Sequence, residues 1–545
     1  MQLASPSDNV PVNPLITSKY YSEIVNVLKT TFGLDKFRPN QLEAINATME
    51  GSDVFVLMPT GGGKSLCYQV PAVCHGGETN GVTFVISPLI ALMIDQVHHL
   101  RARGIDAVLF NSDQGTEINR ETRSRLTGTG PKPRLVYVTP EKLQHSMDMQ
   151  AILKRLYTSR ELARFVVDEA HCVSTWGRDF RDAYKDLDRL RIEYPNVPIM
   201  ALTATANEQV MMDVIDRLRI KGCVLLSQSF NRPNLFYDVR PKKRTILSDI
   251  ASFIKRHYPR DTGIIYCLSR NKCEEVAREL RNDHQLRARH YHAQMSPEDK
   301  ARSQIAWQKG ECEIIVATIA FGMGIDKPDV RYVIHHSLPM SLDGYYQETG
   351  RAGRDGKPAA CITYYSYGDT KILIKLIQDG EKTSFEEKKR QEDGVHRVVQ
   401  YCQNSVDCRR VQLLRFFGQN FSHTNCRKHC DNCAASSEVV VEDMTDIAKN
   451  AVRLTQSLMN TGDRVTRNHC MNVFRGSNLK EIRGKRHDSL PLFGSGRDLG
   501  RDKIERLFDH LINDLKVLKE YSVQNHQGWN TLYLQVKLNL SVLIR

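Results

Sequence analysis

No stretch of this 545-residue chain is apolar for long enough to cross a bilayer. The longest apolar run, near Val82 to Ile94, is interrupted by Ser87 and Pro88 and falls short of the ~20 residues that a spanning helix needs. The first residues, MQLASPSDNVPVNPL, have neither the basic start nor the apolar centre of a secretory signal. Low-complexity tracts and heptad repeats are also missing, which excludes fibrous and coiled-coil architectures. The 14 cysteines do not form the spaced pairs of a small disulfide-stapled domain: most stand singly, and Cys426, Cys430 and Cys433 crowd together. A reducing compartment and a metal site account for that pattern better than disulfides do.

What is present is a soluble, basic composition. Apolar residues make up 41% and charged residues 26%, ordinary values for globular proteins. The net charge of +13 points to a polyanionic partner, because Lys and Arg gain affinity by displacing counterions from phosphates. The length suits about three or four domains of roughly 150 residues. Residues 1–24 form a Pro- and Ser-containing lead-in. Residues 25–232 alternate short apolar runs with amphipathic stretches: VFVLM (54–58), VTFVIS (82–87), RLVYVT (134–139), RFVVDE (164–169) and PIMALTA (198–204). Residues 233–370 repeat the pattern with TGIIYCLS (262–269), CEIIVAT (312–318), VRYVIHHS (330–337) and AACITYYS (359–366). Short buried strands alternating with helices predict an α/β fold of two doubly wound parallel-sheet lobes. A helical cysteine-bearing segment follows (371–440), then helices and a hairpin pattern (441–545) that predict a winged helix.

The strand VFVLM runs straight into Pro59-Thr60-Gly61-Gly62-Gly63-Lys64-Ser65. Glycines let the backbone turn its N–H groups toward phosphates, and a following helix N-terminus adds positive potential. Lys64 would then contact the β- and γ-phosphates and Ser65 would help to hold Mg²⁺. Met58 stands where the strict phosphate-loop pattern has glycine. RFVVDEAH ends a second strand in Asp168 and Glu169, at the edge where open parallel sheets bind ligands. Asp168 suits Mg²⁺ and Glu169 suits the attacking water of phosphoryl transfer; alone, the pair would be a solvated turn.

TGGGKS, DEAH, LTATA (202–206), FGMGID (321–326) and QETGRAGRDG (347–356) occur in the order of superfamily-two helicases. Together with FGLDKFRPNQ (32–41), LMPTGGGKSLCYQVPA (57–72), CVSTWGRDFR (172–181) and GIIYCLSR (263–270), they resemble the RecQ family, in particular its Bloom-type branch. The resemblance runs from Phe32 past Cys433 and more weakly through the winged helix. It implies two RecA-like lobes, ATP as nucleotide, and 3′ to 5′ unwinding of duplex and branched DNA in recombination repair and fork maintenance. Leu34, Arg38 and Gln41 match the adenine-binding segment, and Gln347, Arg351 and Arg354 match the last helicase motif. The two arginines, three apart on a presumed helix, would reach the γ-phosphate from the other lobe.

For DNA, the resemblance points to the aromatic-rich loop with Trp176, Arg178, Phe180 and Arg181, and to Ser269, Arg270, His292 and Thr318 at second-lobe strand ends. Base stacking on aromatics suits a sequence-tolerant grip. Thr175, Arg178 and Gln294 stand where the family usually has Gln, His and Gly. In the winged helix, Arg464, Arg467, Lys485 and Arg486 are candidate duplex contacts, and Trp529 at the hairpin tip a candidate wedge. Cys408, Cys426, Cys430 and Cys433 suit tetrahedral Zn²⁺, although Cys402, His423 and His429 lie close enough in sequence to compete. The family precedent is four cysteines, a closed structural site.

The resemblance further implies the nucleus, a type IA topoisomerase partner and a monomeric core. The Bloom-type branch carries long flanks that are missing here, so a fragment or trimmed core is expected. Two other readings are an RNA helicase, since DEAH also marks that class, and a DNA-structure-binding scaffold without productive hydrolysis. The first motif and the cysteine cluster oppose the former. The intact Lys64, Asp168, Glu169, Arg351 and Arg354 oppose the latter.

Overall fold

The computed structural model describes residues 18–111, 115–174, 182–319, 321, 327–380, 384–435, 442–524 and 530–537. The chain divides into two compact units, one of Met1–Asp369 with Asp407–Ala435, the other of Thr370–Val406 with Ser436–Arg545. The stretch 371–440 is therefore shared between them.

The first unit contains two parallel sheets. The seven strands of the first are β1 (Val54–Leu57), β2 (Val82–Ile86), β3 (Ala107–Leu109), β4 (Leu135–Val138), β5 (Leu162–Val167), β6 (Ile199–Thr203) and β7 (Val224–Ser227), in the order β3-β4-β2-β5-β6-β1-β7. The six of the second are β8 (Leu235–Pro241), β9 (Thr262–Tyr266), β10 (Ala288–Tyr291), β11 (Ile314–Ala317), β12 (Val330–His335) and β13 (Ala359–Tyr365), in the order β10-β11-β9-β12-β13-β8. Central strands such as β1, β2 and β5 are buried at every position. Helices on both faces leave no solvated side, so these strands are continuous apolar runs rather than alternating ones. The first lobe's core gathers Val56, Val85, Tyr137, Val166 and Leu202. The second lobe's gathers Ile265, Val276, Ile314, Val316 and Ile334.

Every strand expected from an apolar run is present. The four not expected, β3, β7, β8 and β10, are the edges of the two sheets. An edge strand has one solvated side, so its residues need not be uniformly apolar: β7 is mostly exposed and β10 reads Ala-Arg-His-Tyr. The open edge β8 is partly covered by the cysteine-bearing segment. Tyr237 bridges Cys430, and the Val239 N–H donates to the Asp431 carboxylate at 3.0 Å.

In the second unit, Ala451, Leu454 and Leu458 of the helix Thr445–Asn460 pack with Ile504, Leu507, Phe508 and Leu511. The antiparallel pair β14 (Leu518–Gln524) and β15 (Asn530–Val536) follows, as the winged-helix pattern predicts. No helix among the described residues is long and apolar enough to cross a membrane.

Candidate nucleotide site and zinc centre

β1 delivers its C-terminal end into the glycine loop. Gly61 and Gly63 have φ of +82° and +86°. A Cβ on Gly63 would collide with Gln41 Nε2, and one on Gly61 would lie 3.3 Å from Arg354 Cγ, so side chains would fill the cradle. Lys64 Nζ donates to the Met58 carbonyl at 3.1 Å. Burial draws the Lys64 pKa down, while Glu169 and Asp168 oppose that shift.

Parallel pairing places the ends of β5 and β6 beside the loop. Asp168 follows β5, and burial, then the adjacent Glu169 charge, hold its carboxyl well above the ordinary range. A dry carboxylate pair next to a lysine is a donor set that a hard divalent cation would relieve. Glu169 adopts a left-handed backbone with φ of 50°, which turns its side chain back toward His171 Nδ1 at 3.3 Å. His171 Nδ1 also meets Thr203 Oγ1 of β6 at 2.8 Å, tying DEAH to LTATA. The sequence had named both motifs without pairing these residues.

Of the adenine-segment residues, Leu34 is exposed and Gln41 is buried. Gln41 accepts from the Arg38 N–H at 2.7 Å and donates to the Gly63 carbonyl at 2.9 Å, while Arg38 donates to the Gly61 carbonyl. The segment therefore lies directly against the phosphate loop.

The second lobe brings its arginines to the same place. The helix Leu342–Thr349 carries Gln347 and ends before Arg351, so the two arginines occupy a turn rather than the presumed helix face. Gly350 closes the helix at Thr60: a Cβ on it would lie 3.5 Å from Thr60 Cβ. Arg354 packs over Gly61 and is close enough to Lys64 to lower its pKa. Arg351 is 5% exposed; its side chain interacts with Tyr266 at the end of β9, and its Nε has no hydrogen-bond partner among the described residues. These contacts cross between the lobes.

Ser269, Arg270, His292 and Thr318 follow β9, β10 and β11, which are neighbours, so all four share one edge of the second sheet. Ser269 and Arg270 are exposed, and Ser269 caps the next helix by accepting from the Lys272 N–H at 3.3 Å. His292 is buried, with Nε2 2.9 Å from Glu274 and its ring stacked on His290. Trp176, Arg178, Phe180, Arg181 and Trp529 lie outside the described residues. Arg467, a candidate duplex contact, is buried instead: it pairs with Asp509 at 2.5 Å and donates to the Glu505 carbonyl. Arg464 and Arg486 are exposed.

Cys408, Cys426, Cys430 and Cys433 bring their sulfurs within 4.8 Å of one another, with Cys430 and Cys408 at 4.0 Å. Four thiolates around Zn²⁺ with bonds of about 2.3 Å stand about 3.8 Å apart, so the set fits. Neither His423 nor His429 belongs to it, and His429 faces the Phe236 ring.

Models of four families match in succession: DEAD/DEAH box helicase over 38–214, helicase conserved C-terminal domain over 242–356, RecQ zinc-binding over 367–434 and RQC domain over 438–539. An ATP-dependent DNA helicase Q1 of Pongo abelii is 38% identical over 95% of this chain and 77% of its own length. The chain belongs to the RecQ family of helicases. Within that family it is 48% identical to ATP-dependent DNA helicase hus2/rqh1 of Schizosaccharomyces pombe and 46% identical to ATP-dependent helicase SGS1 of Saccharomyces cerevisiae. Those matches cover 96% and 97% of this RecQ chain but only 39% and 36% of the relatives. The solved DUF1998 helicase MrfA bound to DNA is alike in fold, with a TM-score of 0.53 at 19% identity over 64% of this chain and 49% of that one. Mss116p bound to ssRNA and AMP-PNP gives 0.54 at 16% over 76% and 93%.

Proposed function

We propose that this chain is the motor of an ATP-dependent DNA helicase that unwinds duplex and branched DNA with 3′ to 5′ polarity. The observation that carries the reading is the seating of Arg354, from one lobe, over the phosphate loop of the other. A triphosphate between them binds both halves, so its hydrolysis changes how firmly they hold together. Only a differential interaction with the open and closed states can drive such a change.

Lys64 and the loop N–H groups bind the β- and γ-phosphates. Gln41 and Arg38 hold the base side, next to Leu34. Ser65 and Asp168 hold Mg²⁺, which neutralises phosphate charge. Glu169 takes a proton from the attacking water, and Arg351 and Arg354 stabilise charge that develops on the γ-phosphoryl oxygens. Ser269, Arg270, His292 and Thr318 form the second lobe's grip on the DNA backbone, and the loop with Trp176, Arg178, Phe180 and Arg181 the first lobe's. The four thiolates hold Zn²⁺ as a structural ion. The nuclear setting, recombination repair and fork maintenance, and a type IA topoisomerase partner rest on the family resemblance alone.

The test is strand displacement on substrates with a 3′ or a 5′ single-stranded tail, of DNA or RNA, with ATP or a non-hydrolysable analogue. Unwinding of 3′-tailed DNA with ATP only is expected. RNA-tracked unwinding, or DNA binding without DNA-stimulated hydrolysis, would defeat the reading.

A further inference from the structure

Between β7 and β8 the chain passes from the first lobe to the second through Gln228-Ser229-Phe230-Asn231-Arg232-Pro233-Asn234. Arg232 in this connector makes four hydrogen bonds to backbone carbonyls. Nη1 donates to Thr60 of the phosphate loop at 3.1 Å and to Gly350 at 3.2 Å, and Nη2 donates to Ala352 and Gly353, both at 3.0 Å. Three of the four acceptors flank Arg351 and immediately precede Arg354. Asn234 holds the same turn, donating to Gly353 at 2.8 Å and Lys357 at 2.9 Å. We infer that Arg232 is a positioning residue: it fixes the arginine turn against the phosphate loop, and Arg410 of the zinc-binding segment fixes Arg232.

The second half of the inference comes from the other side of the connector. Arg410, two residues after the zinc ligand Cys408, is 3% exposed. Its Nη1 donates to Asn231 Oδ1 and to the Arg232 carbonyl, both at 2.8 Å, and its Nη2 donates to the carbonyls of Pro233, at 3.3 Å, and Leu235. Phe230 stacks on Phe417 of the same segment with centroids 4.4 Å apart. Connector backbone polar groups that would otherwise need water are taken up by a side chain anchored beside the metal.

A planar guanidinium offers five donors in a rigid fork, which is why one arginine can hold four carbonyls that lie in two directions. A lysine ammonium is a point charge and cannot span them. Only one of the four Arg232 bonds reaches the first lobe, so the cleft can open by breaking the Thr60 bond while the other three travel with the arginine turn. Arg232 thus keeps Arg351 and Arg354 in register through the cycle without touching nucleotide itself.

This inference rests on the proposed motor reading, and the test separates the two. DNA-stimulated ATP hydrolysis, binding of a fluorescent ATP analogue, zinc content and thermal midpoint are measured on the full chain for Arg232→Ala, Arg232→Lys, Arg410→Lys, Arg354→Ala, the double variant Arg232→Ala/Arg354→Ala, and Lys64→Ala. Displacing a charge-stabilising group by about 1 Å lowers turnover about 100-fold. Arg232→Ala and Arg232→Lys are expected to lose about that in kcat, with KM and analogue affinity within about threefold of the parent. Arg410→Lys is expected to lose turnover with zinc content unchanged. The double variant should lose less than the product of the two single losses, because Arg232 acts in part through Arg354. Losses that multiply in the double variant, or parental kcat in Arg232→Lys, overturn the inference while leaving the motor reading intact. Should Arg232→Ala fail to fold, the lysine variants carry the same comparison. Full turnover in Lys64→Ala would instead sink the motor reading itself.

Discussion

The two lobes share a parallel-sheet plan but present their chemistry differently. In the first lobe the phosphate loop and Asp168-Glu169 each continue directly from the end of a central strand, β1 and β5. In the second, Arg351 and Arg354 sit in a turn after a helix, and that turn is pinned by side chains from a connector. The first lobe therefore owns its site, whereas the second lends one whose placement depends on distant residues. Such an arrangement suits a motor, in which one half keeps hold of the nucleotide while the other engages and releases.

The sharpest way to break this comparison is to remove one group from each side. Arg354→Ala should lower DNA-stimulated turnover by about 10³-fold while nucleotide still binds, whereas Lys64→Ala should lose both. Equal loss of nucleotide affinity in the two variants, measured by analogue fluorescence, would erase the distinction. Within the first lobe, Glu169→Gln should retain ATP binding and lower hydrolysis by about 100-fold or more, abolishing unwinding; normal unwinding would remove its role toward water.

Cys430→Ser probes the support beneath the second lobe. Metal binding and folding of such a module are linked, so zinc content should fall and stability drop by roughly 3 kcal/mol or more. A metal-free variant with the parental melting curve would contradict that.

The smallest effect concerns pH. His336, just after β12, is buried, and that burial, reinforced by Lys242 and Lys272, lowers its pKa from 6.5 to about 3. The unfolded chain takes up this proton first as pH falls. The stabilisation is therefore complete above 6.5 and is lost progressively toward 3, with a loss of about 2 kcal/mol by pH 5. His336→Asn should flatten that part of the pH profile of thermal unfolding, and an unchanged slope would show that other groups dominate.

How much could be read from residue order depends on how local each feature is. The phosphate loop, the carboxylate pair and the cysteine cluster could be named from the sequence because each is a short run or a close spacing, and the four cysteine sulfurs do come together. Buried central strands stood out as apolar runs; the edge strands β8 and β10 are broken by charged residues, and β3 and β7, though apolar, were passed over. Arg467 looked like any surface arginine until Asp509, 42 residues later, was brought against it in the core. Arg232 and Arg410 were passed over because nearly all their partners are backbone carbonyls of distant segments, which leave no mark in a sequence. The His171–Thr203 pair was missed because His171 lies in a turn after β5 and Thr203 ends β6, 32 residues later.

Sequence alone determined which chemical groups exist, which apolar runs form strands and which family the motifs resemble, because periodicity and short motifs are properties of neighbouring residues. Tertiary structure alone decided that Arg354 lies over Gly61, that Arg351 is buried in a turn rather than on a helix face, and that one guanidinium stitches Thr60 to Gly350 and Gly353. Those facts depend on chain segments more than 100 residues apart being folded side by side, and no local pattern encodes that distance.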